Sequence, residues 1–372
     1  MKRIIYYLKK DIVLTVSWVL AAASAFLVRP DKGYVGYIDW RSLGILWSLM
    51  IITKGYMNNG IFEKIGHALL VRTRKMWQLV GVLVALCFFS SMLITNDVSL
   101  ITFVPFAIMM LKKCGRWELM IPVVVLQTIA ANLGSMLTPI GNPQNLYLYG
   151  LAGVGAGQFM MWLLPYTVVS AVLLIISILL LKNKNADVSM KDTNDNSGQK
   201  AAPVNVLLYT ILFVIALLVV ARVLPWYVLT VLVLVTTFII ERNVLLKADY
   251  ALLLTFVGFF IFTGNMGRIE PVALFLSGIA DGREIGVGII TSQCISNVPA
   301  ALLLSGFTHN IKSLALGVNI GGLGTLIASM ASLISYKQYV NEVPEGKGKY
   351  FVTFTVYNVI FLIVLYACTK FI

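Results

Sequence analysis

Only 2 histidines and 4 cysteines occur among 372 residues. The cysteines (Cys87, Cys114, Cys294 and Cys368) lie far apart, mostly inside apolar segments, with neither metal-ligand spacing nor a disulfide pattern. Zinc, haem and thiol-redox chemistry are therefore poor candidates. Charge is scarce as well: 12% of the residues are charged, against about 25% in an ordinary soluble domain. No Walker-type or Rossmann glycine loop is present, because Gly321-Gly322-Leu323-Gly324 lies inside an apolar segment and reads as a helix break. No nucleophile–base pair or metal cluster stands out, so neither an enzyme nor a resident cofactor is expected.

What the chain does have is apolar length. Hydrophobic residues make up 59% of it, in repeated runs near 20 residues, which is the pattern of an all-α polytopic membrane protein. The 29 Lys+Arg against 16 Asp+Glu sit between those runs. They read as topology signals and not as a nucleic-acid surface. Lys2, Arg3, Lys9 and Lys10 precede a run that continues to Val28 without a small-residue cleavage site. That run is expected to be a first span whose basic leader stays in the cytoplasm of a plasma-membrane protein.

Apolar segments fall near residues 12–28, 38–56, 76–93, 98–111, 119–149, 158–181, 203–221, 225–240, 249–265, 284–307, 311–335 and 350–370. Breaks occur at Thr95-Asn96-Asp97, between Asn132 and Asn145, at Ser296-Asn297-Val298-Pro299, and between Asn319 and Ser329. Irregular backbone at membrane depth is tolerated only where protein buries it or a watery cavity solvates it, so four breaks point to a site. They also come in pairs. Asp39-Trp40 and Thr53 are echoed by Asp249-Tyr250 and Thr263 at an offset of 210, and Asn96 by Asn297 at 201. Asn132, Gly134, Thr138 and Ile140 are echoed by Asn319, Gly321, Thr325 and Ile327 at 187. Such internal repetition is the sequence sign of a secondary transporter.

The expected architecture is an inverted repeat with about nine full spans, two re-entrant hairpins and two broken helices. Five spans separate segment 38–56, itself included, from its partner at 249–265, so the second copy is flipped. With the N-terminus inside, 21 of the 29 Lys+Arg fall on the cytoplasmic side, Lys54 counted among them in a loop over 54–75. Residues 1–181 form the first repeat, 182–202 a polar cytoplasmic linker, and 203–372 the second repeat. Residues 57–75 read as an interfacial amphipathic helix in which His67 is an interface residue.

Asp97 is the one carboxylate placed at membrane depth, which makes it a candidate ion- or proton-binding group as well as a cap for the arm that follows. Asn96 and Asn297 each precede a helical arm whose N–H groups and positive end could hold an anion without a lysine, although capping alone would also suit them. Pro299 fits the first turn of its arm, where a missing N–H costs little. Carbonyls freed at the breaks, with oxygen side chains nearby, suit Na⁺ as the coupling ion.

Thr95-Asn96-Asp97, followed by Asn132…Thr138-Pro139-Ile140-Gly141-Asn142-Pro143-Gln144-Asn145, resembles the first half of the ion transporter superfamily. That superfamily contains citrate and dicarboxylate/sodium symporters, arsenite permeases and some sodium/proton antiporters. Ser296-Asn297-Val298-Pro299 and Asn319…Thr325-Leu326-Ile327-Ala328-Ser329 are similar to its second half. The resemblance implies that Thr95, Asn96, Ser296, Asn297 and Pro299 bind substrate. It places Asp97, Asn132, Gly134, Thr138, Asn142, Asn319, Gly321, Thr325 and Ser329 at the ion or proton sites. Asp97 and Val298 stand where the dicarboxylate symporters carry Thr, and Leu326 and Ala328 replace the Pro and Gly expected of arsenite permeases. The function expected is secondary active transport of a small anion, a di- or tricarboxylate or an inorganic oxyanion, coupled to Na⁺ or H⁺. The alternative is arsenite-like metalloid efflux or sodium/proton antiport through Asp97. Expected partners are the small-molecule or ion substrate and the lipid bilayer, with a homodimer open to it and no nucleic acid.

Overall fold

The computed structural model describes residues 12–62, 64, 73–181, 185–187 and 203–372, and every named element in them is helical. His67 and most of the segment around it lie outside the described residues, as does the linker apart from 185–187. In chain order the helices are α1 (Ile12–Leu27), α2 (Gly33–Tyr37), α3 (Trp40–Asn58), α4 (Met76–Ile94), α5 (Asn96–Lys113), α6 (Met120–Ser135), α7 (Pro143–Ala152) and α8 (Ala156–Leu179). There follow α9 (Pro203–Val220), α10 (Trp226–Leu245), α11 (Tyr250–Gly267), α12 (Glu270–Ala280), α13 (Glu284–Ile295), α14 (Asn297–Leu304), α15 (Ile311–Gly321), α16 (Met330–Glu342) and α17 (Lys347–Cys368).

The order repeats. Two helices (α1, α3), a hairpin (α4–α5), a broken pair (α6–α7) and a long helix (α8) are matched by α10, α11, the hairpin α13–α14, the pair α15–α16 and α17. Helix α9 stands between the two series. Local chemistry repeats with the order. Asp39 caps α3 by accepting from Ser42 N at 3.1 Å, and Asp249 caps α11 by accepting from Leu252 N at 3.0 Å.

Packing registers show that the copies run in opposite senses. Along α1 and α11 the residue numbers rise together: Ser17 lies against Gly258, Asn265 Nδ2 donates to Ser24 Oγ at 2.9 Å, and Arg268 pairs with Asp31 at 2.7 Å. These helices are parallel. So are α3 and α10, because Gly44 meets Trp226 near their starts while Asn59 donates to Glu241 and Lys247 to Asn58 near their ends. A short connection turns α10 back into α11, with Tyr250 OH donating to Leu245 O at 2.6 Å. Each helix of the first pair is thus antiparallel to its counterpart in the second.

Seven described helices are long and apolar enough to cross a bilayer: Met76–Ile94, Trp117–Ser135, Ala156–Leu179, Pro203–Val220, Trp226–Leu245, Tyr250–Gly267 and Pro344–Cys368. Two differences from the expectation have physical causes. Helix α3 has span length but carries Arg41 and Lys54 inside it, so Lys54 belongs to a half-buried helical turn and not to a loop. The first hairpin is not short: α4 has 19 residues, about 28 Å of helix at 1.5 Å per residue, nearly a full hydrocarbon core. The second hairpin keeps arms of 12 and 8 residues.

Candidate transport site

Each hairpin turns on a single residue in the left-handed region. Thr95 has φ 72° and ψ 150°, and Ser296 has φ 74° and ψ 154°. A β-branched residue at positive φ is uncommon, and such strain costs on the order of 1–3 kcal/mol and gathers at functional sites. The helical arm begins one residue later, with Asn96 or Asn297 in its first turn. Asn96 is therefore not the N-cap that its sequence position suggests, because Thr95 occupies that place. Its Oδ1 accepts from Asp97 N at 3.0 Å and its Nδ2 donates to Asn132 Oδ1 at 3.1 Å.

The two breaks receive the tips. Asn96 N donates to Gly141 O at 3.1 Å, Thr138 Oγ1 donates to Met92 O, and Asn297 Nδ2 lies against Gly322. Asparagines then bond across the halves. Asn142 Nδ2 donates to Asn319 Oδ1 at 3.0 Å, and Asn319 Nδ2 donates to Asn145 Oδ1 at 2.7 Å. Asn132 Oδ1 also accepts from Ser329 Oγ at 3.1 Å, while its Nδ2 reaches Ser332 Oγ at 3.4 Å. All six of these residues are buried, none with more than 4% of its surface exposed. Buried polar groups of this kind must be paired, and a fully paired network fixes one arrangement. As a result four helix N-termini converge: α5 through Asn96, α7 through its cap Asn142, α14 through Asn297, and α16 through its cap position Ser329.

Glycines make the convergence possible. A Cβ at Gly134 would stand 2.1 Å from Phe88 O and 2.7 Å from Ser91 Oγ. A Cβ at Gly321 would stand 2.8 Å from Ser292 Oγ and 2.9 Å from Ile289 Cα, the residues at the matching places of the second hairpin. Gly134 and Gly321 therefore act as close-approach points between hairpin and broken helix. The carbonyls at the second break are engaged, since Gln293 Nε2 donates to Gly321 O at 2.8 Å and Leu323 O at 2.9 Å. Gln293 Oε1 accepts from Thr325 N at 2.9 Å. Pro299 sits in the first turn of α14, where the lack of an N–H leaves no bond unmade.

Sequence reasoning passed over several residues that this geometry uses. Gln293 clamps the second break, and Gln127 ties Leu83 O and Phe103 O, one from each arm of the first hairpin, at 3.2 Å each. A glutamine inside an apolar arm was the available signal. Gln144, next to Asn145 in α7, has a buried Oε1 without a protein partner among the described residues. Asp97 has two charged groups within electrostatic reach, Lys54 of α3 and Asp249 at the start of α11.

A family model described as citrate transporter matches residues 4–312. The chain belongs to this citrate transporter family. An uncharacterized transporter of Methanocaldococcus jannaschii is 30% identical over 311 residues, 83% of this chain and 84% of that one. The inner membrane protein YbiR of Escherichia coli is 28% identical over 320 residues, 84% of each chain. The silicon efflux transporter LSI3 of Oryza sativa is 29% identical over 140 residues, 37% of this chain and 28% of the rice protein. Family and fold together make the protein a multi-pass membrane transporter.

Proposed function

We propose that this transporter carries a small anion, a di- or tricarboxylate or an inorganic oxyanion, by alternating access coupled to Na⁺ or H⁺. The observation that carries the reading is the convergence of four helix N-termini on one interlock built from both halves. Helix N-termini present the positive end of the dipole, and the first-turn N–H groups not already capped, so they hold anionic groups without a buried lysine. The oxygen chemistry beside the first tip fits a coupling cation. The Asp97 carboxylate and the Thr95 hydroxyl are hard ligands, whereas the Asn132 and Asn319 oxygens already accept from protein donors. The N-terminus is taken as cytoplasmic, on the charge distribution of the loops.

A second reading rests on Asp97 and on the silicon efflux relative. In it Asp97 carries a proton inward while a neutral metalloid acid leaves. One experiment separates the two. Purified protein is melted against citrate, succinate, sulfate, phosphate, arsenite and silicic acid, and each stabilising compound is then tested for uptake into proteoliposomes with imposed Na⁺ or pH gradients. The anion reading expects stabilisation and gradient-driven flux with a charged member of the panel. Flux with arsenite or silicic acid alone, driven by pH, overturns it in favour of the second.

A further inference from the structure

Of the 29 Lys+Arg, 8 fall outside the cytoplasmic segments under the charge-derived topology, and two of these, Arg41 and Arg222, meet at one place although they come from different halves. The place is the C-terminal end of α7. Arg222 Nη2 donates to Tyr149 O at 3.2 Å, and the guanidinium carbon lies 5.0 Å from the centre of the Tyr149 ring. Arg41 reaches the next residue, its Nη1 standing 3.3 Å from where a Cβ of Gly150 would be.

Arg222 serves the C-terminal carbonyls of α7, where a cation is favoured, but Arg41 is not accounted for by local structure. Helix α9 ends with Val223 N bonding to Leu218 O at 2.9 Å and Arg222 N to Val219 O at 3.0 Å, which puts Arg222 at the left-handed position where glycine is the default. Its φ is 64°. Arg41 lies in the first turn of α3, at the positive end of the helix dipole, where a cation is disfavoured. Its Nη2 is buried and has no hydrogen-bond partner among the described residues. Among the described residues no carboxylate oxygen lies within the 4.0 Å ion-pair distance of either guanidinium. Asp39 is the nearby acid, its Oδ2 standing 3.7 Å from the Gly150 Cβ position, and it is committed to Ser42. Two cations against one anion leave a net positive charge around a guanidinium nitrogen that none of the described residues satisfies. A buried unpaired donor of that kind calls for an acceptor.

The position links this cluster to the transport site. Helix α7 starts at the interlock, where Asn142 and Asn145 bond to Asn319, and Tyr149 lies seven residues after Asn142, about 10 Å along the helix at 1.5 Å per residue. Midway, Tyr147 OH shares a 2.9 Å bond with Ser305 at the end of the second hairpin. We propose that Arg41 and Arg222 form an anion-capture site one helix length from the interlock, taking a carboxylate or oxyanion group of the transported anion as it enters or leaves. Arg41 Nη2 is the donor, and Arg222, held on Tyr149, is the second guanidinium. Planar guanidinium forks match such oxygens in pairs.

The proposal rests on the anion reading for its link to transport, but its test does not. Wild type, Arg41→Gln, Arg222→Gln, Arg41→Lys and the double Gln variant are melted against citrate, sulfate and phosphate at fixed Na⁺ and ionic strength. The same series is repeated in an Asn96→Ala background, which removes the interlock as a binding place. The proposal expects an anion-dependent rise in melting temperature that survives Asn96→Ala. The half-saturating concentration rises about tenfold in either Gln variant, and the rise in melting temperature disappears in the double variant. Arg41→Lys keeps the charge and loses the paired geometry, so it falls between. A lower melting temperature in the Gln variants with unchanged half-saturation makes the arginines a helix-end lock and overturns the site, as does a wild type that none of the three anions stabilises. If anions bind through the arginines yet only a neutral metalloid is transported, the capture site stands and the anion reading falls.

Discussion

The two hairpins share a backbone and differ in chemistry. Their tips match within a few degrees, at φ 72° and 74°, and each rests on a broken helix through a glycine. Yet the first has arms of 19 and 18 residues and ends in Thr95-Asn96-Asp97, while the second has arms of 12 and 8 and ends in Ser296-Asn297-Val298. The breaks differ in the same way. The first is closed by asparagines, with Asn142 capping α7 through Asn145 N at 2.8 Å. The second is closed by Gln293 reaching over from the hairpin arm, with Gly324 at φ 105°. Both halves keep what geometry requires, namely the strained tip, the close glycine contact and the asparagine that crosses to the other half. The tips differ in charge, since Asp97 has Val298 in its place in the second.

The largest effect should come from breaking the crossing itself. Asn319→Ala removes the partner of both Asn142 and Asn145, and each unsatisfied buried group costs about 1–3 kcal/mol. Transport should be abolished and the melting temperature should fall. Asn297→Ala, whose side chain makes fewer bonds, should abolish transport with a smaller loss of stability. Equal melting in the two variants would show that the interlock is not the stabilising element.

Glycine contacts offer the next test. Gly134→Ala forces a Cβ to within 2.1 Å of a backbone carbonyl, whereas Gly288→Ala meets its nearest backbone atom at 3.2 Å. The first should prevent recovery of monodisperse protein, and the second should be recoverable with a lowered melting temperature. Comparable yields would mean that the first hairpin can shift away from α6.

Charge asymmetry is sharpened by Asp97→Asn, which keeps the shape of the first tip and makes it as neutral as the second. Dependence of flux on external pH or Na⁺ should fall by about tenfold, equivalent to roughly 1.4 kcal/mol of coupling. A wild-type ion profile would reduce Asp97 to a first-turn residue. Strain can be read separately, because Thr95→Gly and Ser296→Gly relieve the positive φ and should each raise stability by up to about 1 kcal/mol in a melt. A gain at one tip alone would show that the shared dihedrals hide unequal strain.

The smallest effect is expected outside the membrane, where Asp31 joins the loop after α1 to the end of α11. The hydrogen bond from Arg268 holds the exposed Asp31 carboxyl below its ordinary value, with the Gly33 N–H assisting. A carboxyl lowered in the folded state stabilises above its unfolded pKa, near 4, and that contribution is lost as pH falls through the lower folded value. Asp31→Asn should lower the melting temperature slightly at neutral pH, flatten its fall over that acid range, and leave it unchanged below the range. A large drop at neutral pH would show that the pair is not merely a surface contact.

Much of this was legible in the chain. Apolar lengths marked the helices, Asp39 and Asp249 marked two helix starts, and the asparagine and glycine breaks were placed within three residues of the observed ends, because caps and breaks depend on the neighbouring few residues alone. The offsets between repeats paired Asp39 with Asp249, both caps, and Gly134 with Gly321, both close-approach points. Nothing local could say that Asn142 bonds to Asn319 instead of capping only, that Gly134 marks a contact with Phe88, or that Lys54 belongs to a helix near Asp97. The length of the first hairpin's arms was hidden because an apolar run looks the same whether it re-enters or crosses. Arg41 and Arg222 stand 181 residues apart, and their meeting depends on how α3, α7 and α9 assemble. Where helices begin, break and repeat follows from short stretches of backbone and can be read along the chain. Which buried polar groups satisfy one another follows from the packed fold, because partners across an interior are chosen by three-dimensional proximity and not by spacing along the chain.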